Sequence, residues 1–163
     1  MDIEYRSFQD KSGLYAYIQE QLRRITEETD DTTAVLANAS ALLMLELQDV
    51  NWAGFYLYKH GRLVLGPFQG KPAVAEIEVG RGVCGTAAQT LETQLVEDVH
   101  SCCNHIACDS VSSSEIVVPI LLEDGTLYGV IDIDSPVFSR FDGKDREGLE
   151  NAAGILSAYL KKR

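Results

Sequence analysis

Four cysteines, Cys84, Cys102, Cys103 and Cys108, fall within one stretch of 25 residues. Structural disulfides are rare in a reducing compartment, so thiols clustered this way point to redox chemistry or metal binding. A buried cysteine is often only a small apolar residue, but a consecutive pair such as Cys102-Cys103 argues against two core positions. Cys84 stands in Gly80-Arg81-Gly82-Val83-Cys84-Gly85-Thr86-Ala87-Ala88, a tight glycine turn leading into a short helix. A thiol near a helix N-terminus has its thiolate favoured by the dipole and by unpaired backbone N–H groups. The other three stand in His100-Ser101-Cys102-Cys103-Asn104-His105-Ile106-Ala107-Cys108-Asp109, a loop between two strands, where reactive groups usually sit. That loop admits two functional readings. In one, Cys108 is a nucleophile and another cysteine resolves the oxidised product. In the other, Cys102 or Cys103 with His105, Cys108 and Cys84 binds zinc. The donors suit zinc but the spacing does not, since no Cys-x-x-Cys pair is present; redox chemistry ranks first and no metal is expected.

A second group of reactive residues is acidic. In Gly129-Val130-Ile131-Asp132-Ile133-Asp134-Ser135, strand periodicity puts Asp132 and Asp134 on one face with Val130. Two like charges side by side need compensation by a cation or by hydrogen-bond donors. An exposed polar face is the plainest account, and a cationic ligand group such as an ammonium is the sharper one. Glu115, ahead of Ile116-Val117-Val118, adds a third carboxylate. Trp52, the only tryptophan, is read first as a core residue and second as an aromatic wall for a small apolar or sulfonium-like group.

The elements that must carry these residues follow from periodicity. Ser12-Gly13 opens a helix with Leu14, Ile18, Leu22 and Ile25 on one face. Asp30-Asp31-Thr32-Thr33 caps a second helix bearing Val35, Leu36, Ala39, Leu42, Leu43 and Leu47. From Trp52 the pattern turns strand-like, with a hairpin around Lys59-His60-Gly61. Glu76-Ile77-Glu78-Val79 alternates as a half-exposed strand. Strands are expected over 93–96, 115–122 and 127–133, the last two joined through Glu123-Asp124-Gly125. Asp142 then caps a terminal helix carrying Leu149, Ala152, Ala153, Leu156 and Leu160. The order describes an α+β domain, an antiparallel sheet with helices on at least one face.

Composition narrows the function. At 163 residues, 45% hydrophobic and 24% charged, the chain is expected to be one soluble domain over 1–163. A net charge of −11 gives phosphate backbones no basic footprint, which argues against a nucleic-acid partner. The basic cluster Lys161-Lys162-Arg163 complements the dipole of the last helix. No apolar run is long enough for a bilayer, and the N-terminus has neither region of a secretory signal. The expectation is a cytoplasmic protein with no membrane partner.

Six segments together resemble the free methionine-(R)-sulfoxide reductases, stand-alone enzymes of GAF-domain fold. They are Asn51-Trp52-Ala53-Gly54-Phe55-Tyr56, Leu65-Gly66-Pro67-Phe68-Gln69-Gly70-Lys71, Gly80 to Ala87, His105-Ile106-Ala107-Cys108-Asp109, Ser114-Glu115-Ile116-Val117-Val118-Pro119 and Asp132-Ile133-Asp134-Ser135-Pro136. The resemblance implies a GAF-like domain: a central antiparallel sheet flanked by N- and C-terminal helices, with a ligand pocket on the opposite face. It places Cys108 at the catalytic position and Cys84 at the resolving one. Glu115, Asp132 and Asp134 fall at substrate-holding carboxylates, and Trp52 at a wall near the substrate methyl. It further implies a homodimer, no bound cofactor, and regeneration by thioredoxin or another external dithiol. In one departure, Val74 stands where many members carry a further cysteine, while Cys102 and Cys103 lie outside the pattern. Disulfide relay through Cys102 or Cys103 is therefore an expectation for this chain. The rival reading is a non-enzymatic GAF module that senses a small molecule, which needs no cysteine pair at these positions.

Overall fold

The computed structural model describes residues 7–101 and 111–161. Two helices come first, α1 (Lys11–Glu28) and α2 (Thr32–Glu46), followed by strands β1 (Trp52–Lys59), β2 (Arg62–Gln69) and β3 (Glu76–Glu78). Helix α3 (Gly82–Thr90) leads to β4 (Gln94–Val96), β5 (Ser114–Leu121), β6 (Leu127–Ser135) and the closing helix α4 (Gly143–Lys161). All six strands form one antiparallel sheet in the order β3-β2-β1-β6-β5-β4. Every neighbouring pair joins strands consecutive in sequence except β1–β6, which brings together segments far apart in the chain. The α+β reading with a central antiparallel sheet holds.

The two faces of the sheet have different coverings because strand side chains alternate. Ala53 and Phe55 of β1, Ile116, Val118 and Ile120 of β5, and Ile131 and Ile133 of β6 point one way. They form one core with the apolar stripes of α1, α2 and α4, including Ile18, Leu36, Leu149 and Leu156. The other face carries Trp52, Tyr56, Val117 and Val130, which pack with Val83, Cys84, Ala87 and Ala88 of α3. Three helices thus back the sheet on one side and α3 covers part of the other. Among the described residues no helix is long and apolar enough to cross a membrane.

Caps fix the helix positions. Asp10, two residues before the expected Ser12 start, accepts from Gly13 N–H and opens α1, and Asp31 accepts from Ala34 N–H at the start of α2. Asp142 caps α4 as expected, its Oδ1 accepting from Lys144 and Asp145 N–H. The Lys11 ammonium, 2.9 Å away, holds the Asp142 carboxyl down at about 2. Asp145, fully buried, answers from inside the helix by accepting from Asp142 N–H at 2.9 Å, a reciprocal cap. It also accepts from the Tyr15 hydroxyl at 2.8 Å and from Lys11 at 2.6 Å, with Arg140 at 3.4 Å. Burial and the adjacent Asp145 carboxylate push the Tyr15 hydroxyl well above the usual phenol range. This network ties α1 to α4 and holds the helical layer against the sheet.

Candidate active site

Strand register assembles the acidic residues. Glu115 of β5 lies opposite Asp134 of β6, and Asp134 lies opposite Trp52 of β1. In the next row of the same face Val117 is opposite Asp132, and Asp132 is opposite Gly54. Three carboxylates and an indole therefore share the face under α3. β6 runs on to Ser135, two residues beyond the expected end, so Asp134 is held inside the ladder rather than in a turn. The expectation of an exposed polar face is overturned: Asp132 is 0%, Asp134 2% and Glu115 4% exposed. β6 is a central strand, and α3 closes over the residues that alternation places together.

Cys84 comes down onto this cluster from the third position of α3, buried within the same apolar group as Trp52 and Val117. Its Sγ lies 4.0 Å from Glu115 Oε1, and the donor atoms of Cys84, Glu115 and Asp132 all fall within 4.8 Å of one another. The expected helix N-terminus beside this thiol is present. Gly85 is required there, since a Cβ would meet the carbonyl oxygen of Glu78 at 2.5 Å. That close approach lets the Gly80 N–H donate to Gly85 O at 2.8 Å and seats the first turn of α3 over the sheet.

The electrostatics follow from the enclosure. Burial pushes the Asp132 carboxyl above its usual range, with partial relief from the neighbouring Glu115 and Cys84 groups. Neither Asp132 oxygen has a hydrogen-bond partner among the described residues. Such a carboxyl keeps its proton at pH values where a solvated aspartate has lost it, and so becomes an acid able to deliver one.

Trp52 is fully buried, and its ring belongs to an aromatic wall. It stacks on Phe68 with centroids 5.1 Å apart and on Tyr56 at 6.0 Å. The indole N–H donates to Lys71 O at 3.1 Å, and the Tyr56 hydroxyl donates to Val74 O at 2.8 Å. These two bonds pin the segment after β2 across the wall. Phe68 was not singled out from the sequence. It reaches Trp52 because the β1–β2 register shifts between Gly54 and Tyr56 and places Phe68 opposite Gly54, where a Cβ would lie 2.3 Å from that of Phe68. The glycine in Trp52-Ala53-Gly54 was the available signal.

The structure thus brings Cys84, Trp52, Glu115, Asp132 and Asp134 to one face. Cys102, Cys103 and Cys108, with His105, lie outside the described residues. Val74, at the position of the missing family cysteine, is exposed, and its carbonyl accepts from the Tyr56 hydroxyl. The only cluster of metal-ligating side chains among the described residues is Cys84, Glu115 and Asp132.

Comparison with known proteins identifies the family and the fold. Residues 18–160 match the GAF domain family. The chain is 47% identical to the free methionine-R-sulfoxide reductase of Escherichia coli (strain K12), over 93% of this chain and 91% of that protein. The structure of fRMsr of Staphylococcus aureus in complex with substrate superposes with a TM-score of 0.84 at 47% identity, covering 90% of this chain and 95% of that one. Free methionine-R-sulfoxide reductase from Neisseria meningitidis, also in complex with its substrate, gives a TM-score of 0.91 at 40% identity, covering 99% and 96%.

Proposed function

The chain belongs to the free methionine-R-sulfoxide reductases of the GAF-domain family, and from that premise we propose that it reduces free methionine-(R)-sulfoxide with the Cys108 thiolate as nucleophile. The observation that carries the chemistry is the Asp132 carboxyl, buried beside Cys84 and Glu115, without a hydrogen-bond partner among the described residues, and pushed by that burial above the usual carboxylate range. Reduction of a sulfoxide needs such an acid, because oxide is a poor leaving group.

The Cys108 thiolate attacks the sulfoxide sulfur as Asp132 protonates the oxygen. The sulfur–oxygen bond breaks, the sulfur gains two electrons as the thioether of methionine, and the oxygen ends on Cys108 as a sulfenic acid. The Cys84 thiol then displaces that oxygen as water and forms the Cys84–Cys108 disulfide. An external dithiol, thioredoxin or an equivalent, reduces the disulfide, with Cys102 or Cys103 relaying it outward. Glu115 and Asp134 pair with the substrate α-ammonium, which a peptide-bound methionine sulfoxide lacks. The wall of Trp52 and Phe68 takes the methyl group. The homodimer and the reducing cytoplasm belong to the same proposal and rest on the family resemblance.

The test is turnover by the purified protein with dithiothreitol, offering free (R)-sulfoxide, free (S)-sulfoxide and a peptide-bound (R)-sulfoxide in parallel. Consumption of the free (R) form alone, abolished by Cys108→Ser, is the expected result. No consumption of any of the three refutes the enzyme reading and leaves a ligand-binding module.

A further inference from the structure

We propose that Cys84, Glu115 and Asp132 form a site for one thiophilic divalent cation of the zinc class. Their donor atoms lie within 4.8 Å of one another, with Cys84 Sγ to Glu115 Oε1 at 4.0 Å. Zinc binds thiolate at about 2.3 Å and carboxylate oxygen at about 2.0–2.2 Å, so tetrahedral donors stand roughly 3.5 Å apart. The three groups reach that spacing by closing about 1 Å, within the range of carboxylate torsions.

A second observation points to a ligand at the same place. Asp132 is completely buried, and both its oxygens lack a hydrogen-bond partner among the described residues while one of them faces the thiol and the Glu115 carboxylate. Buried polar atoms are normally satisfied, and a cation would satisfy these. One soft sulfur with two oxygens favours zinc or cobalt(II) over magnesium and calcium, which take oxygen donors. Binding forms a sulfur–metal bond and sends the Cys84 thiol proton to solvent; no atom changes oxidation state. The ligand set differs from the loop-centred zinc site considered from the sequence and shares only Cys84 with it. Inhibition would follow, since the metal would occupy the resolving thiol and the substrate carboxylates; that consequence rests on the reductase reading, whereas the binding does not.

The test is a cobalt(II) titration of the reduced full-length chain carrying Cys102→Ser, Cys103→Ser and Cys108→Ser, which leaves Cys84 as the sole thiol. Expected is a saturable thiolate-to-cobalt charge-transfer band at one metal per chain, displaced by zinc and indifferent to magnesium. Adding Asp132→Asn should weaken binding about tenfold or more. Absence of the band, or a band that ignores both Asp132→Asn and Glu115→Gln, overturns the proposal. If the triple variant fails to fold, zinc K-edge absorption on the reduced wild-type chain at one equivalent decides. One sulfur with oxygen donors supports the site, and two or more sulfurs or a histidine shell overturns it. Both readouts are independent of turnover, so their failure is distinct from failure of the reductase reading.

Discussion

Replacing Asp132 by asparagine separates the chemical role of this carboxyl from its cost to the fold. The side chain keeps its shape inside a fully buried site but loses the proton it is proposed to deliver. General-acid catalysis contributes about 10²–10⁴ in rate, and at about 1.36 kcal/mol per tenfold this is roughly 2.7–5.5 kcal/mol of barrier. Turnover of free (R)-sulfoxide with dithiothreitol should fall by that factor at neutral pH. In the wild type the rate falls as rising pH strips the acid, and Asp132→Asn should lose this alkaline limb. Stability moves the other way. Burial disfavours the charge and holds the folded-state carboxyl above the ordinary aspartate range, so over that interval the folded chain binds more protons than the unfolded one. Wild-type stability therefore declines as pH rises from the unfolded pKa through the folded one, and the full cost is present above it. An asparagine has no such slope, so the variant should melt at or above the wild type at neutral pH. Turnover within tenfold of wild type, or an unchanged alkaline limb, refutes Asp132 as the acid. A variant that melts lower at every pH would mark the residue as structural instead.

Substitutions at three further positions probe the scaffold of the site. Gly85→Ala forces a Cβ to within 2.5 Å of the Glu78 carbonyl oxygen. The strain should cost about 1–3 kcal/mol in a urea titration and leave more thiols unpaired after a single turnover, because the first turn of α3 carries Cys84; an unchanged midpoint with full disulfide yield would contradict it. Trp52→Phe keeps a ring against Phe68 but removes the donor to Lys71 O, a loss of about 1 kcal/mol, whereas Trp52→Ala should cost about 3–5 kcal/mol. Thermal melts separate the two, and a KM raised more than kcat is lowered fits the methyl-binding wall. Asp145→Asn withdraws the buried charge that faces Lys11 and Arg140 and should destabilise by about 3 kcal/mol. Lys11 is one-third exposed, which keeps the loss at the low end. The network lies behind the sheet, so saturated turnover below the melting range should stay close to wild type.

Much of this arrangement was legible where the physics is local. The caps at Asp31 and Asp142, the hairpin turns and the glycine-rich approach to Cys84 all depend on a few neighbouring residues. The alternation that puts Asp132 and Asp134 on one face is equally local, and it held. Which face is covered depends on where α3 packs and on the central place of β6, and neither can be read from a strand's own period. That is why exposure at Asp132 was misjudged. The alignment of Trp52 with Asp134 depends on the non-local β1–β6 pairing, and the contact with Phe68 on a register shift within β1–β2. Sequence periodicity assumes an unbroken ladder and misses such a residue. The resemblance to a family supplied the grouping of these distant residues, which local rules leave as separate fragments.

The combination of acidity and dryness bears directly on substrate choice. Glu115, Asp132, Asp134 and the Cys84 thiol can carry four negative charges between them. The apolar group around them (Trp52, Tyr56, Leu63, Ile77, Val83, Val117 and Val130) supplies no cation. Bringing even two such charges together in a low-dielectric enclosure is strongly unfavourable, so the site gains from anything that adds positive charge. A proton on Asp132 would be one such addition, and in the proposed mechanism it supplies the acid that a sulfoxide oxygen requires. The α-ammonium of a free amino acid would be another, in the proposed reaction, and would leave together with the product. On the proposed reading, a substrate embedded in a peptide brings the sulfoxide but no ammonium, and so forgoes the charge pairing that a free amino acid would make with Glu115 and Asp134. Selection for the free amino acid, on this proposal, follows from the charge balance of the enclosure.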